Sequence, residues 1–94
     1  MNCSVRLARW WQQRDNALVA EVLLPDFAAV QAVVTELMAL AVAMDHHPDV
    51  SFGYRRLSVI WQTHDVGGLS DLDWQAALAT DTVLARFHSV GENA

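Results

Sequence analysis

The sequence predicts an α+β domain: a four-stranded antiparallel sheet with helices packed on one face, in the order ββαββα. Three observations carry this. Residues 6–12 and 17–24 are short stretches rich in tryptophan and β-branched residues, separated by the polar group Gln13-Arg14-Asp15-Asn16. Residues 57–63 alternate Leu57, Val59 and Trp61 against Ser58, Ile60 and Gln62, the period of a half-buried strand. Two longer apolar segments, one after Asp26 and one after Ser70, have the length and start signals of helices. Strands that come in pairs, each pair followed by a helix, favour an antiparallel sheet with segregated helices.

The elements follow in order. Residues 6–12 and 17–24 form a hairpin around a turn at 13–16. Pro25-Asp26 opens the first helix with Asp26 as N-cap, and the helix runs over Phe27–Met44. The group Asp45-His46-His47-Pro48 ends it, because a residue before proline is biased away from helical angles. Residues 51–54 form a short strand or an extended lead-in, and 57–63 the fourth strand. Residues 65–68 form a loop. Ser70 is the N-cap of the last helix and Asp73 its third residue, a capping box with aspartate in place of glutamate. Leu72, Ala76, Ala79 and Val83 form its inward stripe. The tail after Phe87 is polar and frays.

At 94 residues the chain holds one domain, residues 1–94, with no room for a second core. Hydrophobic residues make up 53% of it, generous for this size, so one well-filled core is within reach. The net charge of −5, with no Lys/Arg cluster, argues against nucleic acid as a partner. Gln31, Thr35 and Glu36 interrupt the longest apolar stretch, so no membrane span is expected, and no signal-peptide pattern is present. A single cysteine, Cys3, excludes an internal disulfide and points to a reducing cytoplasm.

The first helix is unusual. From Leu37 to Met44 it carries no polar side chain. A surface helix shows one apolar stripe, whereas one apolar all round must be covered on more than one side. In so small a domain the expectation is a subunit interface.

Three of the four histidines, His46, His47 and His64, lie around one loop–strand corner. Imidazole titrates near neutrality, so such a group suits proton transfer or metal binding. No fourth ligand stands at a recognised zinc spacing and HExxH is missing, which disfavours the metal.

The run His46-His47-Pro48, then Tyr54, His64 and Asp73, resembles the signature of the pterin-4a-carbinolamine dehydratases, small enzymes that remove water from 4a-hydroxytetrahydropterins. The resemblance covers residues 10–85. It implies the same α+β fold, a dimer or tetramer, a pterin substrate, and no metal or other cofactor. It also implies that His46 and His64 are the acid–base pair, and that His47 lines the pocket and holds the substrate. Asp73 would orient or charge-stabilise a histidine, and the backbone around Asp45 and Gln62-Thr63 would hydrogen-bond the flat pterin ring. One position departs from the pattern: four residues before the first histidine the family usually has an acidic or other polar residue, and here Val42 stands. Some relatives of this family are not dehydratases. One kind is a dimerisation cofactor for a transcription factor; another is encoded with carboxysome components and acts as a Rubisco assembly factor. A non-catalytic role with a protein client such as Rubisco is therefore the alternative expectation.

Overall fold

The computed structural model describes residues 7–63 and 69–87. Four strands and two helices follow in the order β1 (Trp11–Arg14), β2 (Ala17–Leu23), α1 (Phe27–Met44), β3 (Asp49–Phe52), β4 (Arg56–Gln62) and α2 (Asp71–Phe87). The strands form one antiparallel sheet in the order β1-β2-β4-β3, the α+β arrangement expected.

Register decides which residues meet the helices. Leu18, Ala20 and Val22 stand opposite Trp61, Val59 and Leu57, so these six share a face. Val22, Leu57, Val59 and Trp61 join Val30, Val33 and Leu37 of α1 and Ala76, Val83 and Leu84 of α2 in one buried cluster. Both helices therefore cover the same side of the sheet. Val50 and Phe52 of β3 extend that face to the edge.

Three elements depart from expectation in placement. The first strand begins at Trp11 rather than residue 6, and its turn contracts to Asp15-Asn16. The cause is tertiary. The Asp81 carboxylate of α2 accepts hydrogen bonds from the Ala8 N–H at 2.9 Å and from the indole N–H groups of Trp10 and Trp11 at 2.9 and 2.6 Å. That clamp holds residues 8–11 in a turn, with the Trp11 N–H donating to Ala8 O. The chain reverses at Asp15, whose φ of 51° an aspartate tolerates better than most residues. The third strand is drawn back to Asp49, leaving Gly53 and Tyr54 in the following turn. The inward stripe of α2 is rotated from the expected one: Asp73, Ala76, Ala77, Thr80, Val83 and Leu84 are buried, and Leu72 and Ala79 only half-buried.

Helix α1 keeps its expected bounds. Asp26 caps it, its carboxylate accepting from the Ala29 N–H at 2.8 Å. Its end is set by Asp45 and not by Pro48. Asp45 takes the left-handed conformation, φ 53° and ψ 44°, while its N–H donates to Val42 O and the His46 N–H to Ala41 O. That is a Schellman motif with aspartate where glycine is usual. An L-residue pays a steric penalty there, so Asp45→Gly is expected to stabilise the domain by about 0.5–1 kcal/mol, read as a raised midpoint in denaturant unfolding.

By length and hydropathy α1 suffices to cross a membrane, with a mean hydropathy of 1.9 over its 18 residues, despite the polar interruptions read from the sequence. Val30, Val33, Leu37 and Ala41 nevertheless sit in the core of the domain. Ala41, one of the residues 37–44 expected at an interface, is thus buried within the protomer. Met38 and Val42 stand outward, 66% and 77% exposed, with Ala39 and Ala43 beside them.

Candidate functional site

Past the left-handed cap at Asp45 the chain leaves the helix, and the two adjacent histidines point to different places. His46 turns under the end of α1 toward α2, and only 11% of its side chain is exposed. His47 is turned outward and exposed. It lines a groove of 410 Å³ between α1 and the edge strand β3, together with Met38, Val42, Pro48, Val50 and Phe52. The two imidazoles therefore address different surroundings, although they are neighbours in sequence.

His46 meets Asp73 at the start of α2, with Nε2 2.6 Å from Oδ1. Asp73 is fully buried, and its other oxygen is also occupied. Oδ2 accepts from the Thr63 hydroxyl at 2.6 Å and from the Ser70 N–H at 3.0 Å. The Ser70 bond is one half of the capping box read from the sequence. One carboxylate thus starts a helix through one oxygen and holds a histidine through the other. Thr63 Oγ1 lies 3.0 Å from Ser70 Oγ, closing a small polar network where β4 runs into α2.

The pattern of donors fixes the histidine's tautomer. Thr63 and Ser70 both donate to Asp73, so the carboxylate acts as acceptor throughout. The short contact to Oδ1 is then completed by hydrogen on His46 Nε2. Nδ1 is the nitrogen left to exchange protons, and no described residue bonds it.

Above this pair lies Trp61. Its ring stacks on the His46 imidazole with centroids 5.3 Å apart and planes 27° apart. The indole N–H donates to Thr80 Oγ1 at 3.0 Å, and the Thr80 hydroxyl donates to Ala76 O at 2.8 Å. Trp61 and Thr80 are both fully buried. Sequence reasoning takes Trp61 for core packing, since it falls on the inward alternation of β4. Thr80 carries no sequence signal beyond lying two helical turns after Asp73 on the same face.

The remaining expected site residues are dispersed. His64 lies outside the described residues. Thr63 commits its hydroxyl to Asp73, while Gln62 points to the opposite face of the sheet, paired across from Ala17. The Asp45 N–H is engaged by the helix cap and is not free to bond a ring. Asp73 lies at the centre of the network, fully buried. Tyr54 is 74% exposed in the β3–β4 turn. Val42, at the position of the usual acidic or other polar residue, lines the groove with His47.

Comparison with known proteins follows the same residues. The sequence profile described as pterin 4 alpha carbinolamine dehydratase matches residues 3–83. A provisionally named pterin-4-alpha-carbinolamine dehydratase of Chloroflexus aggregans is 39% identical over 75 residues, 80% of each chain. Another from Synechococcus sp. is 42% identical over 73 residues, 78% of each. Among solved structures, a transcriptional coactivator/pterin dehydratase from Brucella melitensis superposes with a TM-score of 0.75 at 26% identity, covering 80% of this chain and 82% of that one. A pterin dehydratase-like protein identified as a RuBisCO assembly factor in the alpha-carboxysome shares the fold, with a TM-score of 0.65 at 18% identity over 78% and 84% of the two chains.

Proposed function

Since the chain belongs to the pterin-4a-carbinolamine dehydratase family, we propose that it dehydrates a 4a-hydroxytetrahydropterin to the quinonoid dihydropterin by histidine acid–base chemistry. The observation that carries this reading is the buried His46–Asp73 pair, 2.6 Å apart, at the family's motif positions. The reaction moves two protons. The C4a hydroxyl takes one from an acid and leaves as water, and the N5 hydrogen passes to a base as the C4a–N5 double bond forms. A histidine anchored through Nε2 has Nδ1 for one of these transfers, and its partner carboxylate stabilises the charged form while it lasts. In this reading His46 works with His64 as the acid–base pair, His47 holds the substrate, and the backbone near Gln62 and Thr63 meets the pterin edge. The protein acts in the cytoplasm as a homo-oligomer that buries the outer face of α1.

Stopped-flow dehydration of a 4a-hydroxytetrahydropterin tests the proposal. His46→Ala and His64→Ala are each expected to lower the rate at least about a hundredfold, the usual size of a general acid–base contribution. A wild-type rate equal to the uncatalysed one at high protein concentration would refute it.

The second reading is a recruited, non-catalytic protein that binds a client such as Rubisco. Val42 favours it, an apolar and 77% exposed side chain where the family usually carries an acidic or other polar residue. Under this reading the wild type shows no enhancement and the native assembly sediments with the client.

A further inference from the structure

We propose that Trp61, clamped by Thr80, is the positioning residue that sets the plane of the His46 imidazole and so the direction of its proton-exchanging nitrogen. The proposal rests on the reading of His46 as a proton-transfer group.

A single hydrogen bond at Nε2 fixes a point and leaves the ring free to turn about the line to Asp73. The terminal torsion of histidine is broad and adds little restraint of its own. A flat surface laid against the ring removes that freedom. Trp61 supplies one, at 5.3 Å between centroids and 27° between planes. A tryptophan in a core of aliphatic side chains would itself need fixing, and its N–H does so. The Thr80 hydroxyl gives its hydrogen to Ala76 O, which leaves a lone pair to receive the indole at 3.0 Å. The path therefore closes on itself: from α2 through Thr80 to Trp61, across the stack to His46, and back to α2 through Asp73. Both anchors lie on one face of one helix, two turns apart. The plane and the tethering point of His46 are referred to the same rigid element, and helix-borne anchors hold geometry better than loops do.

A purely structural role for Trp61 is the competing account. It predicts that truncation lowers stability while His46 keeps its tautomer and hydrogen bond. Three variants separate the two: Trp61→Leu removes the stack, Thr80→Val removes the acceptor at almost unchanged volume, and Trp61→Phe keeps a ring without the N–H. The readouts are the imidazole ¹⁵N shifts and Nε2–H signal of His46, assigned with His46→Gln, together with kcat and KM. Native protein is expected to show one tautomer with a slowly exchanging Nε2–H. In Trp61→Leu and Thr80→Val that signal is expected to broaden and the nitrogen shifts to move toward the tautomer average. kcat should fall about tenfold with KM within about twofold, the scale of losing an outer support of a reactive group. Trp61→Phe should recover most of both. Unchanged His46 nitrogen shifts in folded Trp61→Leu and Thr80→Val would overturn the proposal. If Trp61→Leu does not fold, Thr80→Val alone decides it. If the native protein proves inactive, the dehydratase reading fails, but the nitrogen shifts still decide the role of Trp61.

Discussion

Asp73→Asn is expected to release His46 from its tautomer and to cost about 2 kcal/mol of stability, the scale of unpairing a buried polar group. In a domain of this size that lowers the thermal midpoint by roughly 10 °C. The carboxylate is fully buried and accepts from three sides. An asparagine has one acceptor oxygen and one donor amide. If its oxygen takes the place of Oδ2, Thr63 and Ser70 stay satisfied, but the amide then points its hydrogens at His46 Nε2. The imidazole must move its hydrogen to Nδ1, which puts the lone pair on the anchored nitrogen and leaves the outward one unable to accept a proton. If the amide flips, the Ser70 N–H is left facing a donor. The first arrangement, which keeps Thr63 and Ser70 satisfied, removes the nitrogen that proton transfer needs, so the dehydration rate is expected to fall at least about a hundredfold. Thermal unfolding and the His46 nitrogen shifts read the two effects separately. A variant with native stability and the native tautomer would show that Asp73 does not organise this site.

Ala41→Asp and Val42→Asp, neighbours on α1, are expected to fail in opposite ways. Ala41 is 5% exposed, buried within the protomer. A carboxylate there is unpaired in the core and costs more than about 3 kcal/mol, a large part of the roughly 5–15 kcal/mol that holds such domains together. The protomer should unfold or lose most of its thermal stability. Val42 is 77% exposed, and the same charge should alter protomer stability by no more than about 0.5 kcal/mol. What it changes is association. If copies of the chain meet through Met38, Val42 and Ala43, a carboxylate on each facing helix introduces like-charge repulsion and stranded desolvation, and light scattering should report the mass of a smaller species. A native mass that is already monomeric, or one that Val42→Asp leaves unaltered, would remove this face from the assembly.

Much of this architecture was legible because local chemistry and tertiary packing agree. Pro25-Asp26 and the Asp45-His46-His47-Pro48 group bracket α1, and the alternation of residues 57–63 gives the inward face of β4. The first strand was misplaced because its start depends on Asp81, some seventy residues away, which no local pattern encodes. The rotated stripe of α2 has a similar origin. Asp73 and Thr80 are polar and stand off the apolar stripe Leu72, Ala76, Ala79 and Val83, and partners at His46 and Trp61 accept them into the core. The helix end turns on one left-handed residue, Asp45, and aspartate adopts that geometry too seldom to be read from sequence. That Asp73 supports a histidine is, by contrast, implied by the family resemblance, and the structure gives His46 as that histidine.

Asp81 also bears on the order in which the protein is made. Its bonds to Ala8, Trp10 and Trp11 span 73, 71 and 70 positions of the chain. A ribosome releases the tryptophans first and their acceptor only after nearly the whole domain has been synthesised. Until then β1 has a partner in β2 but nothing to hold its leading turn, and two indoles remain without the carboxylate that seats them. Contacts of such long range close late and slow folding. Nascent chains arrested before α2 emerges should therefore keep the first hairpin open to proteases, and the domain should lock only as α2 arrives.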